Sequence, residues 1–94
     1  MAIILAAGMD GVVNTIPAGD RLDNDMYAHP ELAGDARKLP HNLLDAIRIF
    51  EKDTVLQNAL GAEFCSAYSK LKRLDWNKFA TSLTQWERDN TLDC

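Results

Sequence analysis

The sequence is 94 residues long, 47% hydrophobic and 26% charged, too apolar for an intrinsically disordered chain and large enough for one domain, or part of one, with a modest core. Ten basic against fourteen acidic side chains leave a net charge of −4 and a pI near 4.9, which argues against a nucleic-acid partner. The two cysteines, Cys65 and Cys94, form neither a disulfide framework nor a zinc spacing, and read as reduced thiols of a cytoplasmic protein.

The opening MAIILAAGMDGVVNTI predicts a helix from about Ala2 to Asn14 with apolar side chains on every face. Asp10 and Asn14 are its only clearly polar residues. It is no signal peptide, because no Lys or Arg precedes Arg21 and Gly8 and Asp10 cut the apolar run. It is also far short of the roughly 20 apolar residues of a membrane span. A helix without a polar side is a buried helix, so its partner is the question. Pro17 and Gly19 are expected to end it.

Residues 17–40, rich in Asp, Asn, Gly and Pro, read as a long irregular loop, with a short helical turn expected within Glu31–Lys38. Such a loop is usually functional or held by something else. PHNLLDAIRIFEKD is an amphipathic helix, N-capped by Asn42, with Leu43, Leu44, Ala46, Ile47 and Phe50 inward. A second short helix follows. Thr54 with Gln57 fits a capping box, Val55, Leu56, Ala59 and Leu60 point inward, and Gly61 closes it. From Ala62 a long helix carries Phe64, Ala67, Tyr68, Leu71 and Leu74 on one stripe. A later set, Trp76, Phe79, Leu83 and Trp86, lies about 100° around, one residue's rotation. The helix therefore changes partner or bends near Leu74, and Thr84 with Glu87 suggests a break at Ser82–Thr84. Nothing alternates with the period of a strand, so the fold is expected to be all-α.

No residue set carries chemistry. Asp20, Asp23 and Asp25 lack the register of a calcium loop. His29 and His41 have no ligand at metal spacing. Cys65 sits in a helix without a basic neighbour to activate it. Gly8 and Gly11 are embedded in an apolar helix, where they let another element approach closely rather than cradle a phosphate. KLKRLDWNKF reads as an ordinary helix with exposed lysines.

Two stretches resemble a known family. AAGMDGVVNTIPAGDRLDNDMY is similar to the glutamine synthetase segment that follows the last active-site strand. There an alanine-rich helix ends Ala-Gly-Leu-Asp-Gly-Ile, then come a Pro/Gly turn and Leu-Asp-x-Asn-Leu-Tyr. The remainder looks like that family's C-terminal helices, through Leu39-Pro40, Ala46, Leu60-Gly61, Phe64, Ala67-Tyr68, Leu71-Lys72, Trp76 and Trp86-Glu87. The resemblance covers the whole chain in order, and after Leu74 it favours the glutamine-synthetase-like subgroups over the enterobacterial enzyme.

The resemblance implies that residues 1–94 are the C-terminal helical segment of a catalytic domain that is α+β as a whole, begun at an internal Met or a mis-assigned start. The first helix then packs behind the active-site sheet. It implies an ATP-dependent carboxylate–amine ligase working with Mg²⁺ or Mn²⁺, whose metal ligands and arginines lie upstream of Met1. Glu31, Glu51, Glu63 and Glu87 do not match those ligands, so no catalytic, cofactor or metal residue carries over, and the segment is expected to be inert alone. One position does carry over. Tyr27 in LDNDMY corresponds to the tyrosine adenylylated in some bacterial glutamine synthetases, although Ala28-His29-Pro30-Glu31 replaces the family's Asp-Leu-Pro with acids. Its other reading is a tyrosine whose ring anchors the loop. The implied partner is the upstream part of the enzyme or a second copy, with no nucleic acid and no membrane. The competing reading of the whole is a stand-alone helical protein for interaction or self-association.

Overall fold

A computed structural model describes residues 1–91. Its helices are α1 (Ala2–Val13), α2 (Leu43–Lys52), α3 (Thr54–Leu60), α4 (Ala62–Ala80) and α5 (Gln85–Thr91), with a 3-10 turn at Pro30–Ala33 and no strand among the described residues. The all-α expectation and the irregular 17–40 segment therefore hold. The helical turn expected within Glu31–Lys38 is shorter and starts one residue earlier, because Pro30 opens it and Gly34, at φ +55°, closes it.

Local chemistry sets the boundaries. α1 ends in a Schellman turn: the Ile16 N–H donates to the Gly11 carbonyl at 2.9 Å and the Thr15 N–H to that of Val12 at 3.4 Å. The turn needs a left-handed residue, and Thr15 takes it at φ +50°, an uncommon conformation for a β-branched side chain. The helix thus stops before Pro17 and Gly19 can act. Asn42 caps α2 by accepting from the Asp45 N–H at 2.9 Å. The cap of α3 is Asp53, whose Oδ1 accepts from the Leu56 N–H at 3.0 Å, and not Thr54, which is the first helical residue. Gln57 turns away from any capping box and donates to the Phe50 carbonyl at 3.0 Å. Gly61, at φ +89°, ends α3 and begins α4, a joint that only glycine makes without strain.

α4 stops at Ala80, and the expected break before α5 is present. The Thr84 N–H donates to Glu87 Oε2 at 2.7 Å, and the Glu87 N–H to Thr84 Oγ1 at 3.2 Å. These bonds hold the Glu87 carboxyl below its ordinary pKa, the backbone N–H of Thr84 being the larger cause and its hydroxyl the smaller. A depressed carboxylate pKa stabilises the fold above the unfolded value and stops doing so as pH falls through the folded one. The start of α5 is therefore expected to fray on acidification through the lower carboxylate range. Glu87→Gln should remove that acid dependence, read from the amide resonances of residues 85–88.

Packing is sparse. α2 crosses α4, α3 lies against both, α1 lies against α3, and α5 touches no other helix. Among the described residues only Ile47, Cys65 and Ser69 are buried. The molecule is a slab of 57 × 42 × 19 Å with a radius of gyration of 18.3 Å, where a compact chain of this length has about 12 Å. It exposes 8394 Å², against about 5400 Å² for a compact monomer of its mass.

The faces that pack are the wrong ones for a self-contained fold. The half-buried residues of α1 are Ala6, Asp10 and Gly11, while Ile4, Leu5, Val12 and Val13 are each two-thirds or more exposed. α4 turns Cys65 and Ser69, one turn apart, onto α2. The apolar stripe read from the sequence is largely outside, with Phe64, Leu71 and Leu74 all exposed. The cause is steric: the small side chains of Cys65 and Ser69 let α2 approach, and Ile47 fills the crossing. Tyr68 of that stripe meets α2, edge-on to Phe50 at 6.0 Å between ring centroids. α2 follows expectation at four of its five inward positions, with Ile47 buried and Leu44, Ala46 and Phe50 half-buried, while Leu43, in the first turn, is exposed.

Candidate functional site

Tyr27 lies in a turn built by Asp25. The Tyr27 and Ala28 N–H groups donate to Asp25 Oδ1 at 2.9 and 3.3 Å, and the His29 N–H reaches the Asp25 carbonyl at 2.9 Å. The whole Tyr27 side chain is exposed, so its ring anchors nothing within this chain, and the phenol stands free at a loop tip. The neighbouring charges pair locally: Arg21 with Asp23 at 2.7 Å, and His29 Nδ1 with Glu31 at 3.2 Å. Asp20, Asp23 and Asp25 do not converge, and no three His, Cys, Asp or Glu side chains form a metal-sized group among the described residues.

A cleft of about 410 Å³ opens between α2, α3 and α4, lined by Glu51, Gln57, Cys65, Ser66, Lys70 and Arg73. Arg73 grips Glu51 with two bonds, Nη2 to Oε2 at 2.6 Å and Nε to Oε1 at 3.3 Å. This pair ties the end of α2 to α4 and leaves the cleft without an unbalanced charge from either. Both side chains are over a third exposed, so the pair contributes at most about 1 kcal/mol. The Cys65 thiol is buried and free. Cys94 lies outside the described residues. Ser69 Oγ, shielded between α2 and α4, has no hydrogen-bond partner. Among the described residues no base is hydrogen-bonded to the thiol or the hydroxyls of the cleft, and Glu51 in its lining is engaged by Arg73.

Two of the four basic side chains in the KLKRLDWNKF stretch of α4 are engaged within the chain. Lys72 pairs with Asp75 at 3.2 Å and lies 5.7 Å from the centre of the Tyr68 ring, and Arg73 is held by Glu51. Gly8 and Gly11 lie inside a continuous helix, so they form no phosphate loop. A methyl group at either would meet nothing of this chain within 4 Å, so the element expected to approach them is not one of its own helices. No helix among the described residues is long and apolar enough to cross a membrane.

What the molecule offers is apolar surface. One face runs along α1 through Ile4, Leu5, Val12 and Val13, a second along α4 through Phe64, Leu71 and Leu74, and a third through Phe79, Leu83 and Trp86 at the α4–α5 break. Sequence periodicity identified the second and third as apolar. It gave no sign that Cys65 and Ser69 would be the packed row, since small residues one turn apart carry little hydrophobic signal.

Residues 1–91 match the family model described as glutamine synthetase, catalytic domain. The chain is 54% identical over 92 residues to a glutamine synthetase of Rhizobium leguminosarum bv. phaseoli and 49% identical over 92 residues to one of Rhizobium meliloti (strain 1021); each alignment covers 98% of this chain and 21% of the relative. A glutamate–methylamine ligase of Methyloversatilis universalis is 33% identical over 95 residues, again with 98% of this chain and 21% of the relative aligned. The chain thus spans about a fifth of the length of these relatives, their C-terminal fifth.

Proposed function

Because this chain belongs to the glutamine synthetase catalytic-domain family, we propose that residues 1–94 form the C-terminal helical layer of an ATP-dependent carboxylate–amine ligase, inert as a catalyst by itself. The observation that carries this is the outward turn of its apolar faces: α1 and α4 spend their less apolar sides on the chain's own packing and hold the richer sides for something else. The relatives are five times longer, and their preceding portion is the partner that fits. The substrates would be glutamate with ammonia or an alkylamine, in keeping with the names of the relatives, and the role one of cytoplasmic glutamine biosynthesis and nitrogen metabolism within an oligomer.

ATP and a divalent metal belong to that preceding portion. The donors here do not fit them: Glu31, Glu51, Glu63 and Glu87 sit on different elements, and Glu51 and Glu87 are already bonded to Arg73 and Thr84. No step of the reaction is assigned to this stretch. Tyr27 remains the candidate modification site, supported by its exposed phenol and its place on a turn that a modifying enzyme can reach.

Purified chain supplied with glutamate, ATP, Mg²⁺ or Mn²⁺ and ammonia or methylamine is expected to release no phosphate above the blank. Turnover that tracks with the chain through purification would sink the proposal. A chimera in which this chain replaces the C-terminal fifth of the Rhizobium leguminosarum enzyme should assemble and turn over. A chimera that does neither counts equally against it.

A further inference from the structure

We propose that the cleft between α2, α3 and α4 binds a small monocarboxylate, with Lys70 as its counter-charge and the hydroxyls of Ser66 and Ser69 as further donors. This goes beyond the role of a structural layer and does not depend on it. The cleft, about 410 Å³, lies within the range of about 300–1000 Å³ usual for small-molecule sites. Glu51 and Gln57 line one side of it, and a flank of α4 lines the other. On that flank Ser66 and Lys70 stand one turn apart, with Arg73 beside them. At 100° per residue this flank lies about a third of a turn from Phe64, Leu71 and Leu74. A neighbour that covers the apolar face of α4 therefore leaves the cleft open.

The charge and hydrogen-bonding state of the lining set the ligand class. The Glu51 carboxylate is taken up by Nε and Nη2 of Arg73, so those two charges cancel. Gln57 gives its Nε2 to the Phe50 carbonyl and keeps Oε1. Lys70 pairs with no acid among the described residues, and its charge is left over in the lining. The uncommitted donors are Lys70 Nζ, Arg73 Nη1 and the two serine hydroxyls. An excess of donors around a single positive charge complements a monoanion. A carboxylate balances it, whereas a phosphate dianion leaves a negative charge over. Ser69 separates the cleft from an ordinary surface groove. It is 6% exposed, it lines the cleft, and its Oγ is shielded without a hydrogen-bond partner. Such unmet buried hydroxyls are rare in folded proteins. A carboxylate oxygen at the floor of the cleft supplies the missing acceptor.

Acetate is the probe, read by saturation-transfer difference at its methyl protons, a signal that survives any association of the chain. Binding should saturate. Lys70→Gln should weaken it about fivefold, the effect of one partly exposed charge, and Lys70→Arg should largely restore it. Ser69→Ala should weaken it about tenfold, as the loss of a shielded bond to a charged acceptor does, while raising the melting temperature of the ligand-free chain. A merely structural hydroxyl does not give that pair of signs. Binding that Lys70→Gln and Ser69→Ala both leave unchanged, or that chloride displaces at equal concentration, is an adventitious ion only and overturns the proposal, as does a signal that never saturates. Inorganic phosphate binding more tightly than acetate, with the same response to the variants, would show a dianion site and refute the monocarboxylate. A Ser69→Ala chain that is less stable without ligand would mean that the hydroxyl already has a partner, and the proposal fails there too. Each of these failures leaves the proposed function standing, since the chimera tests that separately.

Discussion

The isolated chain should sediment as a dimer or larger assembly, and lysine at both Ile4 and Val12 should return it to a monomer. Each of these side chains is about three-quarters exposed, and burying one fully is worth about 1.5–3 kcal/mol. A symmetric contact contains the pair from both copies, so the double substitution should weaken association by at least 3 kcal/mol, a hundredfold or more in dissociation constant. Neither residue packs inside the chain, so the α2–α4 crossing should survive, and the helical signal of residues 43–80 with it. Sedimentation across a concentration series reads the first effect and circular dichroism the second. A wild-type chain that stays monomeric at high concentration and binds no apolar dye would mean that the exposed faces fold onto one another. The outward orientation of α1 would then be wrong, and a self-contained helical protein would be the better reading.

How far the sequence carried depended on whether a feature was local. The caps at Asn42 and Thr84 and the glycine at Gly61 were readable, because each settles its hydrogen bonds within a few residues. The shift from Thr54 to Asp53 shows the limit of such signals. Both residues cap well, and the end of α2 at Lys52 decides which of them is left extended. Thr15 was missed because a β-branched residue gives no sign of a left-handed turn; the bond from Ile16 to Gly11 imposes it. The faces of α1 and α4 were legible as apolar but not as outward-facing. Periodicity reports how apolar residues are arranged around a helix and nothing about what lies opposite. In α4 the chain's own packing went to Cys65 and Ser69, whose small size rather than apolarity admits α2. The family was legible for a related reason: its motifs lie at turns and helix ends spread along the whole chain, and their order is recognisable even where each is weak alone.

The α2–α4 crossing should respond to substitution with both signs. Ile47 is 5% exposed and is the only large aliphatic side chain buried among the described residues. Ile47→Ala removes three carbons from the one contact that closes around a buried row. Such truncations cost about 2–5 kcal/mol. Domains of this length hold roughly 5–14 kcal/mol when fully packed, and a slab with so few buried residues sits at or below the bottom of that range. Ile47→Ala is therefore expected to abolish the cooperative thermal transition, whereas Ile49→Ala, on the exposed side of the same helix, should shift stability by no more than about 0.5 kcal/mol. Ser69→Ala should act the other way. Its hydroxyl is shielded from water with no partner, so deleting it removes a desolvation cost of about 1 kcal/mol or more and loses no hydrogen bond. Denaturant melts of the monomeric Ile4→Lys/Val12→Lys background separate these effects from association. Should Ser69→Ala destabilise that background instead, the hydroxyl has a partner, most simply a carbonyl of its own helix. The crossing would then be held by a hydrogen bond as well as by Ile47. Should Ile47→Ala leave the transition intact, the centre of stability lies elsewhere, and the apolar faces now turned outward are the place to look for it.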